Sequence, residues 1–202
     1  LITKDLGIVD YQATYDAMRN FTLQRDQNTD DELWLLEHHA VFTQGLNGKD
    51  EHIFDTQTIP VVNTDRGGQV TYHGQGQLIA YTLFDLKRLK IGVRQMVAHL
   101  EKSVIMLLNT LGLEAQARRD APGVYIGEQK IASLGLRVKH GACYHGVSLN
   151  VDMDLTPFSY INPCGFQGLE MTDLTRLGIS TSIAQIKVEF ATALNTQMRK
   201  GT

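Results

Sequence analysis

Residues 67–86 read GGQVTYHGQGQLIAYTLFDL. Two runs rich in β-branched and aromatic residues flank a glycine-rich turn, and that pattern predicts a pair of strands. Working outward, DELWLLEH (31–38) holds an apolar run, Leu33 to Leu36, short enough for a buried strand, and HHAVFTQG (38–45) and IPVVNT (59–64) read as two more. Before them, Tyr11, Tyr15, Met18 and Phe21 recur at helical spacing, so the first element is expected to be an amphipathic helix.

Downstream the period changes from two to 3.6. Val93, Met96, Val97, Leu100, Val104, Leu107, Leu108 and Leu111 mark one face of a helix that ends near Gly112. PGVYIGEQKIASLGLRVK (122–139) reads as a hairpin with Gly127 in its turn, and ACYHGVSLNVDM (142–153) as the next strand. Ile183, Ile186, Phe190, Leu194 and Met198 predict a final helix, opened by Ser182 and Gln185 in a capping-box pattern. No repeat or linker divides the 202 residues, so the expectation is a single α/β domain over 1–202, a mixed β-sheet flanked by helices.

Composition narrows the function classes. Hydrophobic residues at 43% and charged residues at 20% are ordinary globular usage, and a net charge of −3 offers no general attraction to nucleic acid or to an anionic membrane. No apolar run reaches the roughly 18 to 20 residues of a membrane span, and the first residues lack the order of a secretory signal, so a cytoplasmic location is expected. Two cysteines without CxxC, and seven histidines without HExxH, give no metal motif.

Three features carry chemistry. In RGGQVTYHGQGQ (66–77), Gly67, Gly68, Gly74 and Gly76 would let the backbone approach a ligand, although the stretch is neither a Walker loop nor a dinucleotide fingerprint. A bulged hairpin in which glycines only relieve strain explains the stretch equally well. His73 could donate a hydrogen bond or move a proton there. Cys143 falls on a regular strand and reads as a small buried hydrophobe. Cys164 stands between Pro163 and Gly165 in a long aperiodic segment, 154–178, the kind of irregular stretch in which functional residues concentrate. A free cysteine is only a few per cent thiolate at neutral pH, so a nucleophile here needs a histidine or lysine beside it. Sequence spacing does not bring one there.

RGGQVTYHGQGQ, APGVYIGEQKIASLGLRV, HGVSLNV and FSYINPCGFQGLEMTDL, in that order and preceded by DELWLLEHHAVFTQG, resemble the signature blocks of the lipoyl(octanoyl) transferases over roughly residues 30 to 180. The resemblance implies the fold of the biotin and lipoate protein ligase catalytic domains. It implies transfer of an octanoyl or lipoyl group from acyl carrier protein to a lysine of lipoyl domains, in 2-oxoacid dehydrogenase complexes and the glycine cleavage H protein, without ATP, cofactor or metal. Cys164 matches the family's acyl-accepting cysteine and Lys130 the lysine that activates it. Arg66, Gly67, Gly68, Gln69, Val70, Thr71, Tyr72 and His73 match a loop lining the acyl pocket. Ser133, Leu134 and Gly135, with Gly146, Val147 and Ser148, match two further substrate-contacting segments, and His38 a histidine near the pocket. One departure is Gln75, where the family usually has proline. The backbone amides of Gly67, Gly68, Gly135 and Gly165 are candidates for holding the thioester oxygen, and Arg66, Arg137 and Lys139 for a positive rim. An ATP-dependent ligase, a Cys/His thioester hydrolase using His73 or His145, and a non-catalytic acyl- or lipoyl-domain-binding module are the alternatives.

Overall fold

The computed structural model describes residues 1–119 and 121–200. Among them the strands are β1 (Ile2–Val9), β2 (Glu32–His38), β3 (Val41–Gln44), β4 (Val61–Asn63), β5 (Val70–His73), β6 (Gln77–Asp85), β7 (Ala115–Ala117), β8 (Val124–Ile126), β9 (Gln129–Lys139) and β10 (Ala142–Asn150). The helices are α1 (Tyr11–Gln24), α2 (Val93–Thr110) and α3 (Ile183–Lys200). The strands form two sheets rather than one: a seven-stranded sheet in the order β1-β2-β6-β10-β9-β8-β7 and a small one in the order β4-β3-β5. Both are mixed, since β1 runs parallel to β2 and β4 parallel to β3 while the other pairs are antiparallel.

Strand alternation explains the layers. On β2, Leu33 and Leu35 face α2 and α3, whereas Trp34 and Leu36 face α1. On β6, Leu78, Ala80 and Phe84 join the first core, and Ile79, Tyr81 and Leu83 the second. A strand covered on both faces has no solvent side, so its sequence shows a continuous apolar run. A third cluster, Phe42, Val70 and Tyr72 with Met153, Leu155, Phe158 and Ile161, fixes the small sheet to the segment that leads into Cys164.

Two expectations need correction, and one strand, β7, was not foreseen. The first element is β1, not a helix: its residues are almost all exposed, and it is held by its ladder to β2 and by a 2.7 Å Lys187–Asp5 ion pair, so no burial pattern marks it. β7 is a three-residue edge strand, too short to give a period. At the start of α3, Ser182 Oγ accepts from the Gln185 amide at 3.2 Å, but the Gln185 side chain turns to Glu189, so only half of the capping box forms. The helix at α1 begins as the spacing predicts, with the Asp10 carboxylate accepting from the Ala13 amide at 3.0 Å.

Phe190 of α3 is fully buried against the large sheet. Phe190→Ala is expected to lower unfolding free energy by about 3 to 5 kcal/mol, read from urea denaturation as a lower midpoint at unchanged slope.

Candidate active site

The aperiodic segment crosses the front of the large sheet and is tied down on both sides of Cys164. Upstream, the Asn162 amide donates to His52 O at 2.8 Å. Downstream, the chain pairs with the backbone of Lys130 itself: Lys130 N donates to Glu170 O at 2.9 Å and Thr172 N donates to Lys130 O at 3.0 Å. The lysine and the loop bearing the cysteine are thus fixed by the same ladder. Between the ties, Pro163–Gly165 form a 3-10 turn in which Cys164 adopts φ 58°, ψ 15°. That left-handed conformation costs a non-glycine residue roughly 1–2 kcal/mol and persists because the ties hold it.

Lys130, on β9, is fully buried, and its Nζ lies 3.0 Å from Cys164 Sγ. The ammonium also donates to Pro122 O at 2.8 Å and sits 5.6 Å above the Tyr125 ring. These partners offset the desolvation that would otherwise expel a buried cation. Gly123 makes the room: a Cβ there would lie 2.3 Å from Lys130 Cε and 2.7 Å from Ala132 O. Cys143, by contrast, is buried in the main core, its thiol donating to Thr82 O at 3.3 Å, and burial pushes it up to about 11, as suits an inert packing residue.

Cys164 opens on a cavity of about 450 Å³, of the size that ligand pockets occupy. Of the residues singled out from sequence, Arg66, Gly67, Gly68, Gln69, Thr71, His73, Ser133, Leu134, Gly135, Gly146, Val147 and Ser148 line it. Val70 and Tyr72 do not: alternation on β5 turns them into the third core while Thr71 and His73 face the cavity. His38 stands one layer behind, its Nδ1 on Val9 O at 3.0 Å and its Nε2 on the Tyr81 hydroxyl at 2.7 Å. Tyr81, Ile79, Val97, Leu136 and Phe166 line the cavity without having been singled out, as does Tyr11 of α1. The β6 alternation could have pointed to Ile79 and Tyr81, but no sequence signal says which face of a doubly covered strand meets a void.

Several expected roles change. Gly74 packs on the Tyr72 ring and Gly76 on the backbone at Asp152, so those two glycines serve the chain rather than a ligand. The Gly67 amide donates to Leu136 O at 3.1 Å and the Gly165 amide to Asn162 O at 2.9 Å, which leaves neither for a substrate oxygen. Arg66 is no part of a rim. It is buried, and its guanidinium donates to Thr43 O at 2.6 Å, Thr43 Oγ1 at 2.9 Å and Gly67 O at 3.0 Å, bracing the glycine loop against β3. Arg137 lies 3.9 Å from Asp65.

The histidines around the cavity are poorly placed to act as a base. Burial, with His38 nearby, lowers His73 to about 3, and burial lowers His38 to about 4. His73 Nδ1 donates to Gln77 Oε1 at 2.7 Å, so its Nε2 accepts from Thr43 Oγ1 at 3.3 Å, and both nitrogens are occupied. His145 is also lowered by burial although Asp65 lies 3.3 Å from its Nε2.

A thiol against a buried ammonium, at the edge of a largely apolar cavity, is an arrangement able to carry out acyl transfer. The comparisons agree. The model of the lipoyl protein ligase A/B catalytic domain matches residues 10–195. The octanoyltransferase of Marinomonas sp. is 55% identical over 198 residues, 98% of this chain and 92% of that protein. Among solved structures, the bipartite lipoate protein ligase of Thermoplasma acidophilum, described with its E2 lipoyl domain, superposes with a TM-score of 0.71 at 18% identity, covering 100% of this chain and 84% of that one. Biotin protein ligase from Aquifex aeolicus gives 0.64 at 13%, covering 98% and 71%. The chain belongs to the lipoyl protein ligase A/B catalytic-domain family, and within it to the octanoyltransferases.

Gly123→Ala should displace the ammonium and slow alkylation of Cys164 by iodoacetamide at neutral pH by about tenfold or more, with the thermal melt keeping a single transition. The neutral histidines set a pH dependence. An unfolded chain binds protons at His38 and His73 below their ordinary value of 6.5, whereas the folded chain does not until about 4 and about 3. Their contribution is therefore complete above 6.5 and is lost as pH falls toward those values. The melting temperature should fall between pH about 7 and about 4.5, and less steeply in His73→Gln.

Proposed function

We propose that this octanoyltransferase works through a Cys164 thioester, taking the octanoyl group from the phosphopantetheine of acyl carrier protein and passing it to a lysine of a lipoyl domain. The observation that carries the reading is the 3.0 Å contact between Lys130 Nζ and Cys164 Sγ at the edge of the cavity. An ammonium at that distance favours the thiolate, which is the nucleophile.

In the first half-reaction Cys164 Sγ forms a bond to the thioester carbon. The bond to the carrier's sulfur breaks, and the departing thiolate takes a proton from the Lys130 ammonium. One thioester replaces another, so the step is nearly balanced in energy and calls for no ATP. In the second half-reaction the acceptor lysine arrives as an ammonium and gives one proton to the now neutral Lys130. Its amine attacks the thioester, a second proton passes to solvent, and Cys164 leaves as a thiolate beside the restored ammonium. Amide formation makes the sum favourable.

Ile79, Val97, Leu134, Leu136 and Val147 supply the wall against which the hydrocarbon packs. At about 0.8 kcal/mol per buried methylene an octanoyl chain gains several kcal/mol of binding there. The acceptors we propose are the lipoyl domains of 2-oxoacid dehydrogenase complexes and the glycine cleavage H protein, and the location the cytoplasm. Among the described residues no helix is long and apolar enough to cross a membrane.

The test is intact-protein mass spectrometry after mixing with octanoyl carrier protein in the absence of ATP. Wild type and Cys143→Ala should gain one octanoyl group, and Cys164→Ala none. An adduct that survives Cys164→Ala would overturn the mechanism. Lys130→Ala should remain folded and lose transfer to the lipoyl domain by about 10²-fold or more.

A further inference from the structure

A covalent thioester site must stabilise the oxyanion that forms when sulfur attacks the carbonyl. The two backbone amides that follow Cys164 do not supply that donor. The Gly165 amide is spent on Asn162 O at 2.9 Å and the Phe166 amide on Pro163 O at 3.1 Å, both inside the turn that sets the cysteine's conformation. The Lys130 ammonium is committed to Sγ and to Pro122 O.

Gln69 is an uncommitted polar side chain beside the turn that carries the nucleophile. Gln69 lines the same cavity as Cys164. Its amide carbon Cδ lies 3.3 Å, and Cγ 3.1 Å, from the point where a side chain on Gly165 would begin. Gly165 has φ 78° and no Cβ, and any larger residue would drive this amide away from the turn. Gln69 Oε1 is sealed from solvent without a partner, and no hydrogen bond is formed by Nε2 among the described residues. Oε1 is an acceptor that an oxyanion would not satisfy, and Nε2, which donates two N–H groups, is the part of this amide that could meet one. Val70, the next residue, is fully buried in the small-sheet core, so the Gln69 backbone is fixed rather than free to swing.

From these placements we infer that the Gln69 carboxamide is the oxyanion donor, a further catalytic residue of the octanoyl-transfer reaction proposed above and dependent on that reading. As Cys164 Sγ bonds to the carbonyl carbon, the carbonyl π pair moves onto oxygen, and a Gln69 N–H donates to it. When the carbon–sulfur bond to the carrier breaks, the pair returns and the hydrogen bond weakens. The same donor serves the second half-reaction, in which the attacking amine generates the oxyanion again.

Acylation makes an oxyanion, whereas alkylation of the same thiol by iodoacetamide does not, so the two rates separate this role from mere support of Cys164. The experiment measures single-turnover acylation by the octanoyl thioester of N-acetylcysteamine, iodoacetamide alkylation and thermal melting for wild type, Gln69→Met and Gln69→Leu. The expected result is a 10²- to 10³-fold loss of acylation with alkylation within about threefold of wild type. Two variants are used so that one folded protein without the donor is in hand. Acylation unchanged in a folded variant, or acylation and alkylation falling together, overturns the role of Gln69 while leaving the thioester reading intact. A wild type that never takes up octanoyl from either donor overturns both.

Discussion

The structure turns on one contact, a buried ammonium held 3.0 Å from a thiol. A lysine withdrawn from water is unstable unless its charge finds partners, and every unusual feature nearby provides or protects one. Pro122 offers its carbonyl, Tyr125 its face, and Gly123 the space a side chain would fill. The loop carrying Cys164 is docked by hydrogen bonds to the backbone of Lys130, so positioning the cation and positioning the sulfur are one structural event. The strained turn at Cys164 is tolerated for the same reason: both of its flanks are anchored to ordered chain.

Around that contact the fold separates charge from hydrocarbon. Arg66, a long cation in a motif that reads as substrate-binding, turns its Nη1 and Nη2 donors to Thr43 and Gly67 and acts as a brace. Burial lowers His38 and His73 to about 4 and about 3, and both nitrogens of each are already occupied. Structural relatives at 13% and 18% identity share the scaffold, which fixes where a site lies and not what it does. Cys164 lies in the segment between β10 and α3, and Lys130 on β9.

Much of this was legible residue by residue. The helical stripes of α2 and α3, the hairpin at Gly127 and the strand character of β2, β5, β6 and β10 follow from periodicity, because each element buries one face or both. β1 was not legible, since an exposed edge strand is held by backbone hydrogen bonds and carries no burial pattern. Likewise the sequence separated Cys164 from Cys143 by their surroundings, one in an irregular loop and one on a regular strand, and Cys143 proves to be core. It did not separate Thr71 and His73 from Val70 and Tyr72, because a four-residue strand with both faces buried shows no polar side.

Sequence alone therefore determined most of the element types and the two residues to which the resemblance assigns chemistry, all of which depend on local pattern or ordered motif. Only the tertiary structure decided that Lys130 and Cys164 touch, that Arg66 is a brace, that the Gly67 and Gly165 amides are already engaged and that Gln69 is not. Those facts depend on which distant backbone groups a residue meets. Hydrogen bonds across 34 residues of chain, like the void between sheet and loop, leave no periodic mark on the sequence that makes them.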